Sequence, residues 1–389
     1  MDFRLTEQQR ELQDAARQFA RRELPDLARE MEEKDFSVPA EMVRRYGEMG
    51  FLGVNLPEQY GGLGLGHLEA LLVLEQFAQV SNAVAFPVFE ALVGPVRTIE
   101  RFGSEDLKAR IIPQVVSGEA TVAVSMSEPD AGTALTDLST RAREDGDHYL
   151  LDGSKRWTSG AGHARYYVVY CRLSDAPGAK GIGALLVDKE MPGVGFGKRE
   201  ELMGFRGIET RDIAFDGVRV PRDHLIVGAG GFGKLMSAFG LERCGNATQS
   251  LGLAAGALEQ ATAYVQERTA FGKPIVDFQA VQLRLADMAM RVEAARLLIY
   301  RAAANAAHEE SGLPSVYESS IAKCFANEIV RQVTADAMQV MGGYGYHKEY
   351  GMEQRVRDGF AWGIAGGTTD VQKTNIAAAM VGRRFDQRR

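Results

Sequence analysis

The chain has 389 residues, of which 45% are hydrophobic and 25% charged, and its formal net charge is −7. This length allows two or three domains around a substantial core, and the composition is that of a globular protein. The acidic balance argues against a nucleic-acid partner, which would require a basic face.

The targeting and redox features predict a cytoplasmic protein. Residues 1–10 carry acidic side chains and lack the apolar core of a secretory signal. No apolar stretch approaches the roughly 20 residues needed to span a bilayer, so no membrane association is expected. Cys171, Cys244 and Cys324 are odd in number and far apart, which favours a reducing compartment and fits no metal-ligand spacing. We therefore expect no metal site.

The spacing of apolar residues divides the chain into three regions. Residues 1–120 indicate an N-terminal α-helical domain, which opens with Thr6 and Gln9 as a capping box. Residues 121–227 contain short segments rich in Val, Tyr, Ile and Phe between turns, which predicts a middle β-barrel or sandwich. Residues 228–389 return to long Ala-rich amphipathic segments, typical of a C-terminal helical bundle. The fold class is therefore α+β, and a Rossmann nucleotide site is not expected because no β-α-β alternation occurs.

Two polar segments of the middle region carry groups that suit an aromatic cofactor. Residues 125–133 supply hydroxyls, backbone amides and a glycine, although such a loop is also ordinary turn chemistry. A strand is predicted over residues 148–153, ending in a turn at Asp152-Gly153. Trp157 follows among hydroxyls, where it either covers a flat ring or belongs to the core.

Two further segments of the C-terminal region suit a phosphate-bearing ligand. Arg268 ends a predicted helix and is followed by an aromatic residue and a glycine, an arrangement that can hold a pyrophosphate. The alternative is an arginine that stabilises the helix dipole. Residues 339–346 place three glycines after a helix, either for close approach to a ligand or as a helix cap and turn.

Together and in this order, these segments resemble the acyl-CoA dehydrogenase family of flavoproteins. The resemblance covers almost the whole chain. It implies an N-terminal helical domain, a β-barrel and a four-helix bundle, with FAD as cofactor and an acyl-CoA substrate. It also implies a homotetramer and an electron-transfer flavoprotein as the electron acceptor. The segments that carry it are Ser127-Glu128-Pro129-x-Ala131-Gly132, the Trp157 element, Arg268-x-x-Phe271-Gly272 and Gln339-x-x-Gly342-Gly343.

The resemblance assigns roles to particular residues of this chain. Ser159 is expected near the reactive N5 atom of the flavin. The residues implied to line the flavin are Met126, Ser127, Trp157 and Ser159, with Thr368 and Asp370 closing the site. Those implied to hold the adenosine and pyrophosphate of a neighbouring subunit's FAD are Arg268, Phe271, Gln279, Gln339 and Gly343. The residues expected beside the substrate are Thr133, Arg243 and Gly366.

Three positions depart from the family pattern. Ala134 replaces an aspartate after the glycine of the first segment, and Asp370 replaces a common glutamine. Gly240 stands where many members keep an aspartate, which removes an expected contact to the pantetheine. We still expect FAD to bind, because the other implied contacts are intact.

The position of the catalytic base is unusual. In most of the family a glutamate precedes the glycine of a Gly-Thr pair, and here Gly366 occupies that position. A minority, resembling isovaleryl- and long-chain-type members, carry the glutamate on a bundle helix directly before an arginine, as in Glu242-Arg243. We therefore predict that Glu242 removes the α-proton and that burial raises its pKa. The alternative is an ordinary surface glutamate paired with an arginine.

The reaction itself has alternatives. Crotonobetainyl-CoA reductases, alicyclic carboxyl-CoA dehydrogenases and sulfinopropionyl-CoA desulfinases also resemble this chain in having glycine at the position of Gly366. The desulfinase pattern has glutamine where Glu242 stands and an arginine where this chain has Phe86. Dehydrogenation of an uncharged, short, branched or alicyclic acyl group is therefore ranked first. Desulfination or enoyl-CoA reduction is the alternative, followed by an FAD-binding relative that does not use CoA.

Overall fold

The N-terminal region is helical, and its helices begin where the sequence supplies caps. The computed structural model describes residues 4–383 and 385. The Thr6 side chain accepts from the Gln9 amide while the Gln9 side chain accepts from the Thr6 amide, which confirms the capping box. The helices are α1 (Glu7–Glu23), α2 (Pro25–Lys34), α3 (Ala40–Glu48), α4 (His67–Val80), α5 (Asn82–Leu92), α6 (Pro95–Phe102) and α7 (Glu105–Val116).

The middle region is a β-sheet whose strands bury alternate residues on opposite faces. The short β-rich segments predicted within residues 121–227 are confirmed as strands. Among the described residues, one sheet has the order β6-β7-β3-β2-β4-β5-β8, and β1 pairs in parallel with β4. The strands are β1 (Val122–Ser125), β2 (Arg141–Asp145), β3 (His148–Ser159), β4 (Tyr166–Arg172), β5 (Ile182–Asp188), β6 (Val194–Phe196), β7 (Thr210–Pro221) and β8 (Leu225–Val227).

The turn predicted at Asp152-Gly153 is wrong. Strand β3 continues through this position to Ser159, and its register with β7 shifts between Leu151 and Gly153. Gly153 has φ 137°, and a Cβ atom there would lie 2.7 Å from the Thr140 Cα. The glycine therefore marks a β-bulge, which bends the strand without ending it.

The C-terminal region is a helical bundle centred on one long helix. The long Ala-rich segments predicted within residues 228–389 are confirmed as helices. Helix α8 packs against α4, α9 and α10, so most of its residues from Ala238 onward are buried. Its elements are α8 (Phe232–Glu267), β9 (Thr269–Ala270), β10 (Lys273–Pro274), α9 (Gln279–Asn305), α10 (Val316–Met341), α11 (Gly343–Tyr346), α12 (Met352–Asp358) and α13 (Thr369–Val381).

The hydrophobic core has two parts that meet at the sheet. On β4, Tyr166, Val168 and Tyr170 belong to the larger core shared with the helices, whereas Tyr167 and Val169 belong to a smaller core within the sheet region. This alternation follows from the two-residue period of a strand. The helix-facing side of β4 therefore adjoins α8. Within the part of the chain that the structure describes, no helix combines the length and apolarity that a membrane crossing requires.

Candidate active site

A buried ion pair holds the loop that follows β1. Lys155 of β3 is fully buried, and its Nζ donates to Glu128 Oε1 at 2.8 Å and to the Met126 carbonyl at 2.9 Å. Glu128 also accepts from the backbone amides of Ser139 and Thr140. Although burial opposes it, the Lys155 charge and these hydrogen bonds lower the pKa of Glu128 to about 2. The loop is therefore fixed around an ionised, fully partnered carboxylate.

Four of the residues predicted to line a flavin lie beside this loop. The Arg156 amide donates to the Ser127 carbonyl at 2.8 Å, which joins the Met126-Ser127 segment to β3. Trp157 has φ 61° and exposes 52% of its surface, and the Arg156 guanidinium lies 4.2 Å from its ring centroid. Ser159 is half-buried at the end of β3. A large exposed ring beside hydroxyls offers a surface that a flat aromatic cofactor can cover.

A second group of predicted cofactor residues lies at an open cavity beyond the end of α8. The cavity has a volume of about 490 Å³, and Arg268 and Gly343 line it. The Arg268 guanidinium lies 5.4 Å from the Tyr344 ring centroid. Nothing lies within 4 Å of a Cβ built on Gly343, so a ligand can approach the backbone there. A guanidinium, aromatic rings and open glycine backbone fit a nucleotide with a pyrophosphate.

The remaining residues of this second group lie outside the cavity. Phe271 has φ 52° and is 96% exposed, and its ring contacts the Phe278 ring edge-on at 6.0 Å between centroids. Gln279 and Gln339 are also exposed. An almost fully exposed phenylalanine is unusual and indicates a surface that another molecule covers. None of the first group, near Trp157, lines this cavity within one chain.

Lys323 of α10 holds the closing segment, which consists of residues 362–368. It is fully buried, and its Nζ donates to the carbonyls of Trp362 at 2.8 Å, Ala365 at 2.8 Å and Gly367 at 3.0 Å. Asn327 adds a bond to the Trp362 carbonyl at 2.7 Å. One cation thus satisfies three carbonyls of a segment without regular structure. The segment is consequently fixed against α10.

The closing segment disfavours a carboxylate at the usual position. Gly366 has φ +63°, and a Cβ atom there would lie 2.6 Å from the Asn246 Nδ2 of α8. A side chain at this position would be strained, and the Asn246 side chain would have to move. Thr368 follows and caps α13, where its hydroxyl accepts from the Val371 amide at 3.3 Å. Asp370 is exposed in the first turn of that helix.

Glu242 is a buried carboxyl on the face of α8 beside this segment. It is 8% exposed and has no hydrogen-bond partner among the described residues. Burial raises its pKa to about 8, although the charges of Arg243 and Lys323 oppose the rise. The alternative of a surface glutamate paired with an arginine is therefore wrong. A carboxyl with this pKa is mostly protonated at neutral pH, and its ionised fraction, which grows as the pH rises toward 8, can accept a proton.

The residues predicted beside the substrate lie in different surroundings. Arg243 is buried, and its Nε and Nη1 have no partner among the described residues. Asn246, one turn after Glu242, is fully buried with both side-chain polar atoms unpartnered within the same part of the chain. Gly366 therefore faces a polar stretch of α8, whereas Thr133 is exposed in the loop after β1. Unpartnered buried groups of this kind indicate a site that a ligand completes.

Three polar residues that the sequence analysis missed belong to this region. Lys155 pairs with Glu128 in the loop after β1, and Lys323 donates to the closing segment. Glu90 of α5 is 5% exposed, and the Glu242 charge adds to the effect of burial in raising its pKa. A sequence signal existed for two of them: Glu90 is the lone charge between Asn82 and Val96, and Lys323 follows Ile-Ala in an apolar helix. A charged residue within an apolar run is rarely buried, so its burial indicates a structural or functional role.

The order of helices, sheet and helical bundle, with two surfaces suited to a flavin nucleotide and a buried carboxyl on α8, defines a three-domain flavoprotein. Sequence profiles agree region by region. Residues 6–119 match the acyl-CoA dehydrogenase N-terminal domain, 123–218 the middle domain and 229–381 the C-terminal domain. The chain belongs to the acyl-CoA dehydrogenase family, whose members are FAD-dependent enzymes.

Individual relatives cover the chain from end to end. It is 36% identical over 381 residues to the probable acyl-CoA dehydrogenase FadE25 of Mycobacterium tuberculosis, covering 97% of each chain. It is 35% identical over 392 residues to the 3-sulfinopropanoyl-CoA desulfinase of Paraburkholderia xenovorans, covering 100% of this chain and 99% of the relative.

Solved structures resemble this chain over nearly its whole length. Butyryl-CoA dehydrogenase from Megasphaera elsdenii has a TM-score of 0.93 and 32% identity, covering 98% of this chain and 100% of that one. The FAD complex of PigA has a TM-score of 0.91 and 27% identity, covering 98% and 99%. A structure described with the electron transferring flavoprotein of Acidaminococcus fermentans has a TM-score of 0.94 and 35% identity, covering 98% and 100%.

Proposed function

We propose that this enzyme carries out FAD-dependent α,β-dehydrogenation of an acyl-CoA thioester, with Glu242 as the base. The proposal rests on one contrast: α8 carries a buried carboxyl, whereas the closing segment carries none at Gly366. Glu242 is a buried carboxyl with a raised pKa, whereas a side chain at Gly366 would be strained at φ +63° and would have to displace Asn246. The base is therefore on helix α8 and not in the closing segment.

The chemistry follows from the properties of Glu242. The thioester carbonyl polarises the bond between the α-carbon and its proton, and the Glu242 carboxylate takes that proton. The electron pair of this bond becomes the double bond while a hydride leaves the β-carbon. The chemistry that bound FAD supplies is acceptance of this hydride. Because burial raises the pKa of Glu242 to about 8, the carboxylate is basic enough for the transfer near neutral pH.

The residues around Trp157 would hold the flavin ring, and those around Arg268 the nucleotide end. The ion pair of Lys155 and Glu128 would keep Met126 and Ser127 in place for the ring. Thr368 and Asp370 would close the ring site. The exposed residues Arg268, Phe271, Gln279, Gln339 and Gly343 would contact the adenosine and pyrophosphate bound to a neighbouring subunit of a tetramer.

The substrate would lie between the closing segment and α8. Gly366 and Ala365 carry no large side chain, which favours a short, branched or alicyclic acyl group. Arg243 has unpartnered guanidinium nitrogens that suit the CoA moiety, and Thr133 would contact the pantetheine. The reduced cofactor requires an electron acceptor, and an electron-transfer flavoprotein would serve.

Anaerobic titration of the FAD-loaded enzyme with acyl-CoA thioesters tests this proposal. Straight, branched and alicyclic thioesters should bleach the flavin absorbance band and yield the enoyl thioester. Glu242→Gln should bind the thioesters without bleaching. Glu259→Gln, an exposed change on the same helix, is the matched control and should behave as wild type. Bleaching by Glu242→Gln at the wild-type rate would contradict the assignment of the base.

A carbon–sulfur lyase is the second candidate, because the desulfinase relative spans the whole chain at 35% identity. Loss of SO2 from a 3-sulfinoacyl thioester leaves the electron pair of the C–S bond on C3, which takes up a proton, and water converts the SO2 to sulfite. This reaction needs no strong base. It would also proceed without an electron acceptor. Release of sulfite from 3-sulfinopropanoyl-CoA at an undiminished rate in Glu242→Gln would favour this reaction. An enoyl-CoA reductase would instead oxidise the pre-reduced flavin when an enoyl thioester is added.

A further inference from the structure

One amide side chain of α8 is buried without a partner. Asn246 is fully buried, and neither its Nδ2 nor its Oδ1 forms a hydrogen bond within the described residues. Two neighbours on the helix differ in this respect. The Thr248 hydroxyl donates to the Cys244 carbonyl at 2.9 Å, and the Ser250 hydroxyl donates to Asn327 Oδ1 at 2.7 Å. An unsatisfied buried amide opposes folding, so we expect a ligand to complete it.

Asn246 lies beside both the proposed base and the closing segment. Glu242 is one turn earlier on α8, and side chains four residues apart on a helix are neighbours, with about 5–6 Å between their Cβ atoms. A Cβ built on Gly366 would lie 2.6 Å from Asn246 Nδ2, 3.4 Å from its Cγ and 3.5 Å from its Oδ1. The amide nitrogen is therefore the end nearest the closing segment, in the space that a side chain of residue 366 would enter.

The donor that holds the closing segment is already engaged by the carbonyls of that segment. An ammonium has three N–H bonds, and those of Lys323 go to the carbonyls of Trp362, Ala365 and Gly367. Lys323 consequently has no donor left for a substrate. Asn246, in contrast, keeps both of its N–H bonds free within the part of the chain that the structure describes.

The proposed reaction determines which substrate atom such a donor would meet. Glu242 takes the α-proton, so the α-carbon of the bound thioester must lie within reach of that carboxylate. The thioester oxygen is two bonds from the α-carbon and is an acceptor that every acyl-CoA has there, whereas the β-carbon offers no acceptor. As the α-proton leaves, negative charge develops on this oxygen. A donor that meets the oxygen stabilises the charged state more than the neutral thioester and so accelerates proton removal.

We propose that Asn246 Nδ2 donates a hydrogen bond to the thioester oxygen and stabilises the enolate-like charge that forms as Glu242 removes the α-proton. This inference rests on the proposed function and adds a second catalytic residue on α8. Asn246 keeps its protons. The α-proton goes to the Glu242 carboxylate, and the electron pair of the broken bond is shared with the oxygen. That pair becomes the C2–C3 double bond when the hydride leaves C3. The role explains why α8 keeps an unpartnered amide beside the base.

A thioester that can lose its α-proton but cannot give a hydride tests the inference. In 3-thiapentanoyl-CoA a sulfur atom replaces C3, so the FAD-loaded enzyme can form the enolate and go no further. An enolate beside an oxidised flavin absorbs at long wavelength, and the growth of this band with pH measures the apparent pKa of the α-proton. Asn246→Leu and the smaller Asn246→Val should raise that pKa by about 1–2 pH units, the range for one hydrogen bond to a charged group.

The matched control is Thr248→Val, which removes a buried hydroxyl of the same helix that donates only to the helix backbone. It should leave the band and the pKa of the α-proton as in wild type. A structural role for Asn246 is tested by thermal unfolding of the ligand-free variants. Asn246→Leu should unfold at a temperature no lower than that of wild type, because it removes two unpartnered polar atoms.

The outcomes separate this inference from the proposed function. An unchanged pKa of the α-proton in both Asn246 variants would overturn the role of Asn246. An equal shift of the Glu242 midpoint in the pH profile of kcat/KM would also overturn it, because Asn246 would then act through the base. Bleaching by oxidisable thioesters without the long-wavelength band in wild type would overturn it too, and would leave the dehydrogenase proposal standing. That proposal is tested separately by Glu242→Gln.

Discussion

Two regions of this protein bury carboxyl groups in opposite ways. In the loop after β1, Glu128 receives hydrogen bonds from Lys155 and from two backbone amides, and its pKa falls to about 2. Between α5 and α8, Glu90 and Glu242 have no hydrogen-bond partner within the described residues, and both pKa values rise. A partnered buried charge fixes a loop, whereas an unpartnered one is ready to react or to bind. We infer that the first region is structural and the second functional.

The largest effect concerns the position of the base. Glu242→Gln should lower kcat by about 10²–10⁴-fold, the usual contribution of a general base. Adding Gly366→Glu should restore little activity, because a glutamate at φ +63° is strained and must displace the Asn246 side chain. Steady-state oxidation of the preferred thioester compares the single and double variants. Recovery of a tenth of wild-type activity by the double variant would show that the closing segment can accept a base.

Breaking the partnered region should affect stability before chemistry. Lys155→Met leaves Glu128 buried and unpaired, which should lower the free energy of unfolding by about 3–5 kcal/mol. Flavin content should fall with it, because Met126 loses the ammonium that fixes its carbonyl. Denaturant unfolding of the variant and of Glu128→Gln/Lys155→Met measures this. The double variant should be the more stable of the two, and equal instability would contradict the pairing argument.

Lys323 has hydrogen-bond partners although it lies in the functional region. It therefore tests whether partnered groups in that region act on stability, on catalysis or on both. Lys323→Met removes the donor to the three carbonyls of the closing segment and should cost about 1.5–3 kcal/mol. Because the segment adjoins the proposed substrate site, kcat and KM should both change in the folded variant. Thermal unfolding and steady-state kinetics are measured together. Normal kinetics in a destabilised protein would assign Lys323 to structure alone.

The pH dependence of the free energy of unfolding also distinguishes an unpartnered buried carboxyl from a partnered one. Glu242 has a native pKa of about 8 against an ordinary value of 4.5, so its ionisation opposes folding as pH rises through this window. Wild type should lose stability there with a slope of up to about 1.4 kcal/mol per pH unit from this group. Glu242→Gln should show a shallower slope in chemical unfolding between pH 5 and pH 8. An unchanged slope would mean that Glu242 is not buried as described.

Much of the architecture follows from local sequence. Apolar spacing and the Thr6 cap predicted the first helix, and short β-rich segments predicted the strands that form the sheet. The turn at Asp152-Gly153 was wrong, because the same residues form a bulge when a neighbouring strand pairs with them. Local pattern cannot distinguish these outcomes, since the pairing partner is distant in the chain.

The site was predictable only in part. The resemblance to the family selected Glu242, and the structure shows that this residue is buried. Partners that come together only in the fold, such as Lys155 with Glu128, could not be deduced from spacing because 27 residues separate them. Glu90 gave a signal as an isolated charge in an apolar helix.

The most direct test of Glu242 as the base is the pH dependence of kcat/KM for thioester-driven flavin reduction. In wild type and in Glu259→Gln, we predict a rise of about tenfold per pH unit below the Glu242 pKa and a plateau above it. The midpoint should lie near the pKa of about 8. In Glu242→Gln the rate should be low and this ionisation absent. A wild-type profile with the same midpoint in Glu242→Gln would contradict the assignment.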